Sequence, residues 1–122
     1  MRIILILTLF FLLVSGCTMQ MAHKESQQSS PREKASIQLT QEGKQLLNEG
    51  KTDNAIRLLE QAIGLNPNNG QSYYYLAQAW LKKGIFSEAK EFNNLARVYL
   101  QEDKEWMNRV EKQAIQIQRS GK

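Results

Sequence analysis

The sequence predicts an all-α fold, a short α-solenoid of two helix–turn–helix repeats closed by a C-terminal capping helix. Three observations carry this. Gly50 and Gly84 stand 34 residues apart, as do Ala55 and Ala89, and Ala62 and Ala96, so one unit occurs twice. Between these marks the apolar residues recur at helical spacing, with glycine or proline where a helix should stop. After Asp103, the residues Trp106, Val110, Ala114 and Ile117 form one more apolar stripe of the same period.

The solenoid does not begin at residue 1. Met1-Arg2 is a short basic start, and Ile3 to Val14 is an apolar run broken only by Thr8. Twelve helical residues would span roughly 18 Å against a bilayer core of about 30 Å, too short to cross. A cleavable secretory segment over 1–16 fits the length. The run ends in Val14-Ser15-Gly16-Cys17, which resembles the lipobox of bacterial lipoproteins. That resemblance implies diacylglyceryl transfer to the Cys17 thiol, cleavage just before it and acylation of the freed amine, palmitate being a typical chain. Only a thiolate is nucleophilic enough for the transfer. Cys17 is the sole cysteine, so no internal disulfide is available and the domain must be held by packing. Several acyl chains at ~0.8 kcal/mol per buried methylene would make the anchor essentially permanent.

On that resemblance residues 17–30 comprise the lipidated cysteine and a polar tether without a periodic apolar face, with a reach of roughly 20 Å as a random coil. His23, the one histidine, lies there without partners for a metal role. The helical domain is expected over 31–122. Ser30-Pro31-Arg32-Glu33 reads as a capping box with proline at the first helical position. Helices are expected over about 31–49, 53–65, 70–83 and 87–100, with a fifth after Asp103. That last helix has Lys104, Glu105, Lys112 and Gln116 on its other face, as a terminal solvating helix should.

The 34-residue unit resembles the tetratricopeptide repeat. The family pattern falls on Leu39, Glu42, Gly43, Leu46, Ala55, Leu59 and Pro67, and again on Tyr73, Leu76, Ala77, Trp80 and Ala89. Gly43/Ala77 and Ala55/Ala89 are small so that paired helices approach closely, while Leu46, Leu59, Tyr73 and Trp80 fill the flanks. Gly50 and Gly84 suit a left-handed turn after the first helix. Three positions depart from the pattern: Glu42 stands for Leu, Asn93 for a large apolar residue, and Gln101 for the closing Pro. The second unit therefore reads as degenerate at its end. Two repeats and a cap are few, so a homo-oligomer stays open.

Chemistry finds little footing, and no catalytic residue, cofactor or metal site is assigned. The domain holds neither histidine nor cysteine, and there is no phosphate-binding glycine loop or HExxH spacing. Its acids alternate with Lys and Arg, as around Lys51 and Lys90. Without Arg2 the balance is 15 basic to 12 acidic residues, a mild +3 with interleaved signs, so nucleic acid is not an expected partner.

By the family resemblance, the first helix of each repeat lines a concave groove. It implies groove positions at Thr40, Lys44 and Leu47, and at Tyr74, Gln78 and Leu81. Tyr73 shares a face with Leu76, Ala77 and Trp80 and is assigned to the core. Tyr74 either contacts a ligand or packs on the capping helix. A carboxylate clamp is disfavoured: Lys44 and Arg109 match it, but Thr40, Tyr75 and Glu105 occupy the other places. The expected function is a membrane-anchored protein–protein interaction module that assembles or positions another envelope protein. The chain looks like the lipoproteins that escort secretins or murein enzymes. The alternative is a self-associating structural protein with no separate client. Thr18 after the cysteine is not the retention Asp of enteric-type bacteria, so the resemblance implies the outer membrane, periplasmic face.

Overall fold

A computed structural model of the chain describes residues 29–122. The apolar run 1–16, Cys17 and His23 lie outside the described residues. Five helices follow: α1 Pro31–Asn48, α2 Thr52–Leu65, α3 Gly70–Lys82, α4 Phe86–Tyr99 and α5 Lys104–Ser120. Their bounds match those expected to within a residue or so. No described helix is long and apolar enough to cross a membrane.

Local chemistry sets each end. The Ser30 hydroxyl accepts from the Glu33 amide at 3.1 Å, and the Glu33 carboxylate accepts from the Ser30 amide at 2.8 Å, closing the capping box at α1. α1 and α3 end alike. Gly50 (φ 79°) and Gly84 (φ 73°) take the left-handed conformation, and the next amide donates back across the turn. Lys51 reaches the Leu46 carbonyl at 2.9 Å, and Ile85 the Trp80 carbonyl at 3.0 Å. At α5 one Asp103 oxygen accepts from the amides of Glu105 and Trp106, at 3.0 and 3.1 Å.

α1 pairs with α2 and α3 with α4; α3 also packs on α2, and α5 on α4. The first helices lie side by side, α1 touching α3 and α3 touching α5. Ala55, Ala62, Ala77, Ala89 and Ala96 are wholly buried at the crossings, beside Leu59, Leu76 and Val110. Gly43 shows why a small residue is required: a Cβ there would stand 2.7 Å from Leu59 Cγ. Tyr73 is buried as expected, stacked on Tyr99 with centroids 5.2 Å apart and its hydroxyl donating to the Pro67 carbonyl at 2.8 Å. Leu46 and Trp80 are only partly buried against the core.

Two buried polar seams run beside the apolar contacts that join the first unit to the second and the second to the last helix. In the first, the Thr40 and Ser72 hydroxyls are 2.7 Å apart. The Asn69 amide donates to Ser36 Oγ (2.9 Å) and Thr40 Oγ1 (3.1 Å), and Ser36 donates to the Ala62 carbonyl (2.8 Å). In the second, Asn93 Nδ2 donates to the Val110 carbonyl and to Gln113 Oε1, both at 2.9 Å. Gln113 Nε2 in turn donates to the Tyr74 carbonyl (3.0 Å) and Gln78 Oε1 (3.2 Å). The departure from the pattern at Asn93 thus has a structural use. The residue is buried, and its amide ties α4 to α5 through a partner on a helix outside the repeat pair.

Candidate interaction surface

The side-by-side first helices bring three aromatic rings together. Tyr74 meets Tyr75 edge-on at 5.3 Å and Trp106 at 5.3 Å, and Tyr75 meets Trp106 at 6.1 Å. Two cations frame the triangle. Lys44 Nζ lies 5.9 Å from the Tyr75 ring centre, and the Arg109 guanidinium 4.9 Å from that of Trp106. Arg109 also donates to Glu105 at 2.8 Å, which pushes its pKa above the ordinary guanidinium value. One residue set thus links α1, α3 and α5.

Exposure divides this set. Lys44 and Arg109 are exposed, Tyr74 and Trp106 half-buried, and Tyr75 buried. Tyr74 therefore packs on the capping helix while keeping part of its ring accessible. Burial raises its phenol pKa, with Tyr75 adding to the effect and Arg109 opposing it.

Three of the residues expected to line the groove are interior. Thr40 is spent on Ser72 and Asn69, Leu47 belongs to the cluster of Ile56, Leu59 and Leu76, and Leu81 packs with Ala89 and Ile117. The packing of α1 against α2 and α3 takes Thr40 and Leu47 inside, and Leu81 is covered by α4 and α5. Gln78 is half-buried and accepts from Gln113. Lys44 and Tyr74 are brought to one cluster. Trp106 and Arg109 complete it, and the groove assignment had missed both. Their signal was an aromatic with a cation three residues on, but only the packing of α5 on α4 brings them to Tyr74. Among the described residues no group of three His, Cys, Asp or Glu side chains could hold a metal ion.

No curated protein sequence matches the chain. The sequence model of the tetratricopeptide repeat matches residues 46–107, from the last turn of α1 through the first turn of α5. That span is just over half of the 122 residues and takes in both left-handed glycines, the α2/α3 junction and the whole second helix pair. In structure as in sequence, the chain belongs to the tetratricopeptide repeat family, whose helix pairs serve as protein–protein interaction modules.

Proposed function

We propose that this chain is a lipid-anchored tetratricopeptide protein that binds another protein of the bacterial cell envelope through the face built by α1, α3 and α5. In this reading residues 1–16 are a signal peptide, Cys17 carries the lipid, and the tether up to residue 30 holds the domain 31–122 against the membrane. The membrane is the periplasmic face of the outer membrane. The client is a larger assembly, of the secretin, pilus or murein-enzyme kind, that the domain helps to build or position. Catalysis forms no part of the role.

The observation that carries the binding half is the framed aromatic cluster. Interfaces concentrate their energy in a few Tyr, Trp and Arg side chains, and here Tyr74, Trp106 and Arg109 stand together with accessible edges. The anchoring half rests on Val14-Ser15-Gly16-Cys17 after an apolar run. Two variants test the halves separately. Cys17→Ser should leave the precursor uncleaved or free the protein from membranes; processing and membrane association as in the wild type would end the lipoprotein reading. Tyr74→Ala should weaken capture of crosslinked envelope partners by about 1–3 kcal/mol with the helical signal preserved. Unchanged capture would move the contact elsewhere, and capture of the chain's own copies alone would replace a client with self-association.

A further inference from the structure

A cleft of about 600 Å³ opens between α4 and α5 and shares no residue with the aromatic face. Ile117 forms its buried floor, Ala114 and Phe86 its half-buried walls, and Lys90, Gln118 and Lys122 its exposed mouth. The repeat period explains why there is a cleft at all. α2 and α4 start 34 residues apart, at Thr52 and Phe86, and so do α3 and α5, at Gly70 and Lys104. The α4/α5 junction is thus the counterpart of the α2/α3 junction, position by position. Ala114 stands in the place of Trp80, Lys90 in that of Ile56, and Asn93 in that of Leu59. At α2/α3 the indole, with Ile56 and Leu59, packs into one cluster. At α4/α5 a methyl group stands in for the indole, and an exposed ammonium replaces the isoleucine.

We propose that this cleft is a docking pocket for an acidic segment of another protein that inserts one aromatic side chain into the space a tryptophan fills at the preceding junction. The apolar floor of Ile117, Ala114 and Phe86 receives the ring. The charged side chains of the lining are those of Lys90 and Lys122, with no Asp or Glu among them, so carboxylates beside the aromatic meet two ammonium groups. Asn93 also lines the cleft, but its amide nitrogen is committed to α5, so the pocket keeps its shape when empty.

The probe is the peptide acetyl-Glu-Trp-Glu-amide, with acetyl-Lys-Trp-Lys-amide as its charge-reversed control, titrated into the nitrogen-15-labelled full chain. The acidic peptide should shift the amides of residues around 86–94 and 114–121 saturably, with roughly three- to tenfold preference over the basic one, as expected for two exposed ion pairs. Lys90→Glu should abolish or reverse that preference. Ala114→Trp should raise the melting temperature, because it supplies the missing ring, and should abolish binding. Tyr74→Ala should bind the acidic peptide like the wild type, which separates this site from the aromatic face. The proposal is overturned if neither peptide shifts the cleft amides, if Lys90→Glu leaves the preference unchanged, or if a folded Ala114→Trp chain binds as before.

Discussion

Replacing Asn93 by leucine would restore the large apolar residue that the repeat pattern carries at this position, and the structure says that this harms the protein. The Asn93 side chain is 2% exposed and Gln113 is 3% exposed, so neither can turn to water. Asn93→Leu removes the donor to Gln113 Oε1 and leaves a buried carbonyl oxygen unpaired, a cost of about 1–3 kcal/mol. Burial of the leucine side chain offsets part of that, and a net loss of about 1–2 kcal/mol is expected. For a domain of this size it corresponds to a fall in melting temperature of roughly 4–8 °C per kcal/mol. Gln113→Leu alone should cost less, because Asn93 Nδ2 keeps the Val110 carbonyl and Gln78, half-exposed, can find water. The double variant places leucine against leucine and should recover most of the loss. The assay is urea or thermal unfolding of the four chains followed by helical circular dichroism, closed as a double-mutant cycle. Coupling of about 1 kcal/mol or more is expected; single effects that add within about 0.3–0.5 kcal/mol would show that the two amides do not act as a unit.

Other perturbations probe the packing and the tyrosines. Gly43→Ala gains about 1 kcal/mol of helix propensity but sets its methyl carbon 2.7 Å from the Cγ of the wholly buried Leu59. Overpacking typically costs about 1–3 kcal/mol, so unfolding should show a net loss, and a gain would mean that α1 and α2 are not so closely packed. Burial holds the phenols of Tyr73 and Tyr74 protonated above their ordinary range, with Tyr99 and Tyr75 adding to the effect. In the unfolded chain they ionise near pH 10, so above that pH the unfolded state binds fewer protons. The stability they contribute is whole below about pH 10 and is lost as pH rises through the folded values. The native phenolate titration should therefore lag that of the denatured chain, with melting temperature falling over the same alkaline window. Coincident curves would contradict the burial of these rings.

Much of the backbone was legible in the sequence because its signals are local. Ser30 with Glu33, Gly50, Gly84 and Asp103 each fix a helix end within a few residues, and all of them act in the structure as read. The small residues Gly43, Ala55, Ala77 and Ala89 gave the crossings, since close approach demands small residues wherever it occurs. What could not be read depends on partners distant in the chain. Thr40 looks like a surface position on α1 until Ser72 arrives from α3 to take its hydroxyl. Asn93 looks like an error until Gln113 is seen beside it. Gln113 was passed over because it is polar, yet its spacing of three from Val110 and four from Ile117 puts it on the buried face and leaves Ala114 at the half-buried edge. Tyr74 was ambiguous for the same reason: its spacing put it off the core stripe, and only the position of Trp106 decides what it touches.

The two polar seams also make the repeats non-interchangeable. In an array held by apolar contact alone, any unit could be copied and inserted, because one leucine surface accepts another. Here each junction has its own lock. A duplicate of the first unit placed where the second stands would present Gln113 with the counterpart of Leu59, which lies 34 residues before Asn93 and has no donor to offer. It would equally face Thr40 with the counterpart of Gln38 instead of Ser72, since those two positions are also 34 apart. Lengthening this solenoid by duplication would therefore strand the buried Gln113 oxygen at one joint and force a long glutamine into the buried place of Ser72 at the other. A longer relative would have to arise by new junction chemistry, and not by copying a unit.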